Sequence, residues 1–275
     1  MKLDYFAVNS RHWLLQQPPQ RFVAKFGLLN RLFLHWPVTM ELGPSGLTLL
    51  ARENDCSVNF CHTARARRYS NGVGQFLDSL HGSYLLDRVP LRPSDWVLDC
   101  GANVGEVSLA LLRREPSLNI VAVEPEALEA DCADLNLYQG RPRTVRGVLW
   151  HEETTLKFYS AAASADSSTI EPPKYDSVRE VPATTVDALL TRMQCQRLRL
   201  LKLEAEGAEP EILQGAMGSL ERIDYIAADL GPERGVRQEE TATPVINLLL
   251  AQGFEIVSMR FDRVVVLFRN RRATD

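Results

Sequence analysis

Residue types that do chemistry gather at a few places in this 275-residue sequence. In Asp99-Cys100-Gly101-Ala102-Asn103-Val104-Gly105 an apolar run enters a glycine-bounded turn ahead of a stretch with helical spacing. Gly101 permits a sharp turn, Gly105 lets the next helix pack close, and the small Ala102 with Asn103 leaves room for a ligand against the backbone. The helix start offers N–H groups to a carboxylate, and Asp99 is placed to reach the amino acid part of a zwitterionic ligand. One βα unit later stands Glu124-Pro125, where a carboxylate can accept both hydroxyls of an adenosine ribose. Further on, Glu204 and Glu206 end a buried apolar run, where an arriving hydroxyl would meet a base.

These groups need strands to carry them. Alternating elements from residue 90 onward predict a doubly wound α/β sheet. Strands are expected at 96–100, 119–124, 143–150, 198–203 and 223–230, with a small one at 156–159. Helices are expected at 104–114, 126–137, 185–192, 210–220 and 244–252. Residues 254–259 and 264–268 close the sheet as an antiparallel hairpin, an ending typical of methyltransferase sheets. Residues 160–177, rich in Ala, Ser and Pro, predict a long surface loop, of the kind that is usually functional or mobile. Before residue 90 the sequence predicts a small α+β extension, residues 1–89, followed by the main domain, 90–275. In the extension, helical pieces break at Pro18-Pro19 and Pro37, a hairpin pairs 38–42 with 47–51, and a helix covers 73–86.

A dinucleotide loop wants a middle glycine so that the backbone can approach a pyrophosphate; here that position is Asn103. A phosphate-free sulfonium cofactor, S-adenosyl-L-methionine, tolerates the change. A nicotinamide-dependent oxidoreductase and a non-catalytic cofactor-binding relative are the competing readings.

The same residues resemble the FkbM-type methyltransferases, which act on hydroxyls of sugars and polyketide-like natural products. The resemblance rests on 98–105, on Val123-Glu124-Pro125 with Asn136, on 184–189, and above all on Lys202-Leu203-Glu204-Ala205-Glu206-Gly207-Ala208-Glu209. It implies a Rossmann-like class I sheet and O-methyl transfer. It also implies a cofactor held by Asp99, Gly101, Asn103, Gly105 and Glu124, with Gly147 and Val148 flanking the adenine. Ser167 and Ser168 resemble the family's serine pair and are candidate acceptor contacts, as is His151 beside the third strand. Glu204 stands where the family usually has aspartate, and Asp229 where it tends to have glutamate.

Net charge −4 argues against a general nucleic-acid binder. Residues 1–75 are nonetheless basic, with 9 Lys and Arg against 4 Asp and Glu. Their Trp13, Phe22, Phe26, Phe33 and Trp36 suit either a membrane surface or a core-facing helix side. No apolar run is long enough to span a bilayer, and residues 1–10 lack the pattern of a secretion signal. Five irregularly spaced cysteines fit a reducing compartment, the cytoplasm. Cys56, Cys61 and His62 have poor zinc spacing, and Asp229 with Glu204 lacks a third ligand, so no metal is expected. The expected acceptor is a small molecule or carbohydrate.

Overall fold

The computed structural model describes residues 10–161 and 167–273. The centre of the expected 160–177 loop, residues 162–166, and the start of the chain, residues 1–9, lie outside the described residues. Helix α1 (Pro19–Leu29) begins with proline in its first turn, where a missing N–H costs nothing. Strands β1 (Thr39–Leu42) and β2 (Leu49–Glu53) pair antiparallel across the predicted turn. An unpredicted third strand, β3 (Cys56–Phe60), joins β2 through Asn54, whose φ of 49° is left-handed. Asn54-Asp55 is a hairpin signal of the kind that links two strands tightly. A 3₁₀ segment, Thr63–Tyr69, then leads to α2 (Val73–Ser83).

The main sheet contains β4 (Trp96–Cys100), β5 (Asn119–Val123), β9 (Leu198–Leu203), β10 (Ile223–Asp229), β13 (Phe254–Arg260) and β14 (Val265–Asn270). Its order is β13-β14-β10-β9-β4-β5, parallel from β10 to β5 and closed by the antiparallel β13–β14 hairpin. This is a doubly wound, Rossmann-like sheet with a terminal antiparallel hairpin, as expected. Helices α3 (Glu106–Leu112) and α4 (Ala127–Tyr138) follow β4 and β5. Alternation sorts the strands' side chains between two faces. Leu98, Leu201 and Ile226 pack with residues of α5 (Val186–Arg192), α6 (Glu209–Gln214) and α7 (Ala242–Ala251). Val97, Leu200 and Ala227 pack on the opposite face with Val107 and Leu111 of α3. Burial of each such side chain contributes about 1.5–3 kcal/mol, so the register that decides which residues face a helix is strongly specified.

Three expectations need correction. The third strand, 143–150, does not run through the main sheet: Val145 alone bridges Val123. The chain then leaves as β6 (Val148–Leu149), which pairs with β8 (Ser177–Thr184), itself antiparallel to β7 (Thr154–Ser160). Much of the expected 160–177 loop therefore connects a long hairpin. The helix expected over 210–220 stops at Gln214, and the next residue, Gly215, lies against the Trp150 carbonyl, which a Cβ would approach to 2.0 Å.

The N-terminal layer shares a core with the main fold. Phe22, Phe26, Trp36, Phe60 and Tyr69 pack with Val104, Ala110 and Cys132. The aromatic stripe therefore points largely inward, while Trp13, Leu28 and Leu32 stay exposed. Among the described residues no helix is long and apolar enough to cross a membrane.

Candidate active site

A cavity of ≈ 330 Å³ opens beyond the carboxyl ends of β4, β5 and β9, within the usual range for a small-molecule site. Gly101 begins its floor at φ 71°, and a Cβ there would stand 2.1 Å from the Glu204 carbonyl, so only glycine fits between the two strand ends. Asn103 takes the left-handed conformation (φ 51°) that asparagine tolerates, which is how the loop turns without a middle glycine. Its side-chain oxygen accepts hydrogen bonds from the Val104 N–H (2.9 Å) and from Arg65.

Glu124 is buried and faces the cavity from the end of β5. It accepts the N–H groups of Asn103 and Glu126, each at 2.8 Å. Burial pushes its carboxyl up to about 7; Glu129 and Glu126 nearby add to this, and the two N–H bonds only partly oppose it. Gly147, Val148, Pro125 and Ala102 complete this end of the wall.

A second part of the wall is organised by Glu204. Its Oε2 accepts from Tyr84 Oη at 2.5 Å and from Lys202 Nζ at 3.0 Å, and its Oε1 pairs with Arg263. Partial burial would raise its pKa, but Lys202 and Arg263 outweigh burial and hold it down to about 2. Lys202 is itself fully buried, donating to the carbonyls of Cys100 (3.1 Å) and Gly101 (2.8 Å) and lying 3.3 Å from Asp99. Burial opposes its charge, yet Glu204 and Asp99 keep its pKa well above the usual lysine value. Arg263 also pairs with Asp229, so a guanidinium occupies the position between Glu204 and Asp229 where a divalent ion was considered.

Of the expected site residues, Gly101, Ala102, Asn103, Glu124, Pro125, Gly147, Val148, Ser167, Ser168, Glu204 and Glu206 line this one cavity. Asp99, Gly105 and His151 do not. Strand alternation turns Asp99 beneath α3, where it accepts from Ser108 Oγ at 2.6 Å. Gly105 (φ 84°) is a packing position, since a Cβ there would reach 3.0 Å from Leu137 on α4. His151 lies in the turn before β7, with a side chain 40% exposed beside Glu152. Glu206 (φ 50°) lines the cavity, and its carbonyl accepts from Ser168 Oγ at 2.9 Å. The turn's clamp is the buried Glu209, which accepts the N–H groups of Ala205 (2.8 Å) and Gly207 (3.3 Å). Ser167 donates to Glu126, which also holds Arg179 at 3.1 Å.

Several wall residues were not foreseen. Arg65, Arg68 and Tyr84 come from the N-terminal layer; Arg68 meets Glu106 at 2.9 Å and Tyr69 Oη meets the same carboxylate at 2.5 Å. Lys202 did leave a signal, a lone cation in the otherwise apolar end of β9, whereas Arg263 left none.

The cavity's donor set suits an adenosine group without phosphates: a buried carboxylate for ribose hydroxyls, a glycine-bounded loop, and a small apolar wall. The fold and this site define a class I S-adenosylmethionine-dependent methyltransferase. A family model, the methyltransferase FkbM domain, matches residues 99–256, and the chain belongs to that family. Its methyl donor is S-adenosylmethionine, and the nicotinamide alternative falls away. The chain is 25% identical over 224 residues to the AMB antimetabolite synthetase AmbE of Pseudomonas aeruginosa, a match covering 66% of the chain and 10% of that protein. The chain thus spans about a tenth of the length of this curated relative. Similar solved structures include precorrin-6y C5,15-methyltransferase from Geobacter metallireducens, with TM-score 0.39, 13% identity, and 71% of this chain and 87% of that one covered. Magnesium protoporphyrin IX methyltransferase from Synechocystis, solved with bound SAM, gives TM-score 0.39 and 13% identity over 74% of this chain and 82% of that one. The N-terminal domain of human METTL16 gives TM-score 0.42 and 10% identity over 94% and 83%.

Proposed function

We propose that this protein methylates a hydroxyl oxygen of a sugar, or of a glycosylated or polyketide-like small molecule. The observation that carries the reading is a single cavity lined both by Gly101, Asn103 and Glu124 and by Tyr84, Glu204 and Glu206. Donor and acceptor can share that space. S-adenosylmethionine supplies a methyl group on a sulfonium, open to in-line attack by the acceptor oxygen.

The chain's own residues position the two partners, which is where most of the barrier reduction in such a displacement comes from. Glu124 would hold the ribose hydroxyls, Gly147 and Val148 would flank the adenine, and Arg65, which donates to Asn103 of the cofactor loop, would meet the carboxylate end. Glu204 was expected to share the role of base with Glu206. A carboxylate held near 2 and bound to Lys202, Tyr84 and Arg263 is a poor proton acceptor, so Glu204 is assigned to positioning these groups. Glu206 is assigned to accept or orient the acceptor hydroxyl.

A small acceptor is favoured over nucleic acid by the net charge and by the pairing of Arg68, Lys202 and Arg263 with carboxylates within the protein. The five free cysteines fit a cytoplasmic setting. The test is transfer of labelled methyl from S-adenosylmethionine to a panel of sugars, glycosides and polyketide alcohols, with RNA alongside. The expected product is an alkali-stable methyl ether, and Glu206→Ala is expected to lower kcat more than it raises KM. Label confined to RNA, or to esters or amines, would overturn the reading.

A further inference from the structure

Beside the main cavity, a second group of side chains converges where the N-terminal layer meets α4. Cys61 and His62 follow directly on β3, while Glu129 and Cys132 lie three residues apart on α4 and so share one helix face. Donor atoms of Cys61, His62 and Glu129 all lie within 4.8 Å of one another, with His62 Nε2 2.8 Å from Glu129 Oε1. The Cys61 thiol also contacts the Cys132 thiol. Cys61, Cys132 and Glu129 are buried, and His62 is partly so.

We propose that Cys61, His62, Glu129 and Cys132 form a binding site for a thiophilic divalent cation, with zinc as the fitting ion. Two sulfurs, an imidazole nitrogen and a carboxylate oxygen are the donor types that favour tetrahedral zinc over magnesium or calcium. Zinc holds such donors at about 2.0–2.3 Å, so they stand roughly 3–4 Å apart. Three of the four donors already lie within 4.8 Å of one another and need only small side-chain rotations to reach that arrangement, while Cys132 adjoins Cys61. Binding would release to solvent the thiol protons of Cys61 and Cys132 and the proton that His62 shares with Glu129, leaving two thiolates, a neutral imidazole and a carboxylate around the ion.

The sequence hid this site. Cys61-His62 is a lone pair of donors in linear order, and Cys56, the nearest cysteine, lines a separate surface hollow with Asn59 and Asn136. The fold supplies the missing ligands from a helix some 70 residues away. The ion would fasten β3 to α4, and because Glu129 also stands on the wall of the main cavity, it would fasten the N-terminal layer over the cofactor end. The inference does not rest on the assigned methyl acceptor.

The test is titration of the chelator-treated full-length protein with Co2+ and then Zn2+. The expected result is one equivalent of cobalt showing a thiolate-to-metal charge-transfer band and intense tetrahedral visible bands, both abolished by Zn2+, together with a higher Tm for the zinc-loaded protein. Cys61→Ser and Cys132→Ser are each expected to weaken metal binding at least tenfold, while Cys56→Ser leaves it unchanged. Should a cysteine variant fail to fold, Glu129→Gln and His62→Gln report on the same site and are expected to weaken binding as well. Substoichiometric cobalt at micromolar protein, a spectrum without the thiolate band, equal losses in Cys56→Ser and Cys61→Ser, or a Cys61–Cys132 disulfide in protein purified under reducing conditions would each overturn the proposal.

Discussion

Glu124 and Glu204 end the two strands that flank β4, yet the structure gives them opposite electrostatic characters. Glu124 is buried beside Glu126 and Glu129 and is pushed up to about 7, whereas Glu204 sits between Lys202 and Arg263 and is held down to about 2. Removal from water raises both; nearby cations decide the outcome for only one. A carboxylate that titrates near neutrality is ready for a ligand's hydroxyls, and one locked among cations is a fixed part of the scaffold. Position at a strand end therefore says where a carboxylate is, and its neighbours say what it does.

The most damaging way to break this contrast is Glu204→Ala, which leaves the buried Lys202 ammonium and Arg263 short of their shared partner. A loss of about 3–5 kcal/mol in unfolding free energy is expected from denaturant titration. In a Lys202→Met/Glu204→Gln double variant the loss should fall well short of the sum of the single ones. Additive losses would mean that the pair is not coupled.

Glu124→Ala should act on binding instead. Deleting hydrogen bonds from a charged group to ribose costs about 1.5–3 kcal/mol, so calorimetric affinity for S-adenosylhomocysteine should fall about ten- to hundredfold. Unchanged affinity would remove Glu124 from the cofactor site.

The two carboxylates should also respond to pH with opposite signs. The native fold holds the Glu124 proton more tightly than the unfolded chain does, from an ordinary 4.5 up to about 7. Its contribution to stability is therefore full below about 4.5 and is lost as pH rises through 7, by up to about 3 kcal/mol. Glu204 contributes above about 4.5 and loses that contribution as pH falls towards 2. Ionised Glu124 is the better acceptor for ribose hydroxyls, so affinity for S-adenosylhomocysteine should rise between pH 6 and 8 and become flat in Glu124→Gln. A variant that keeps the slope would assign the titration to another group. The smallest effect belongs to His151→Ala, which lies off the cavity wall; kcat/KM within about twofold of wild type is expected.

The local elements were legible because their signals are local. β4 with its glycine turn, β9 and the closing hairpin follow from apolar runs and turn residues, and part of the cavity wall follows from the loop and Glu124. The misplaced residues share a cause. Asp99 was assigned to the ligand by its position at a strand end, but alternation turns it under α3 towards Ser108 and Lys202. The 143–150 segment has a strand's composition and still leaves the sheet after Val145, because pairing with β8 depends on a partner more than 30 residues away.

By itself, the sequence determined the sheet, the glycine-bounded loop and the strand ends that carry Glu124 and Glu204, since backbone sterics and hydrophobic period act between near neighbours. Only the tertiary structure decided which carboxylate is neutralised, that Arg65 and Tyr84 of the N-terminal layer reach the cavity, and that Cys61 and His62 meet Glu129 and Cys132. Coulombic and ligand interactions depend on distances of a few ångströms between residues far apart in the chain, and no local pattern encodes those distances.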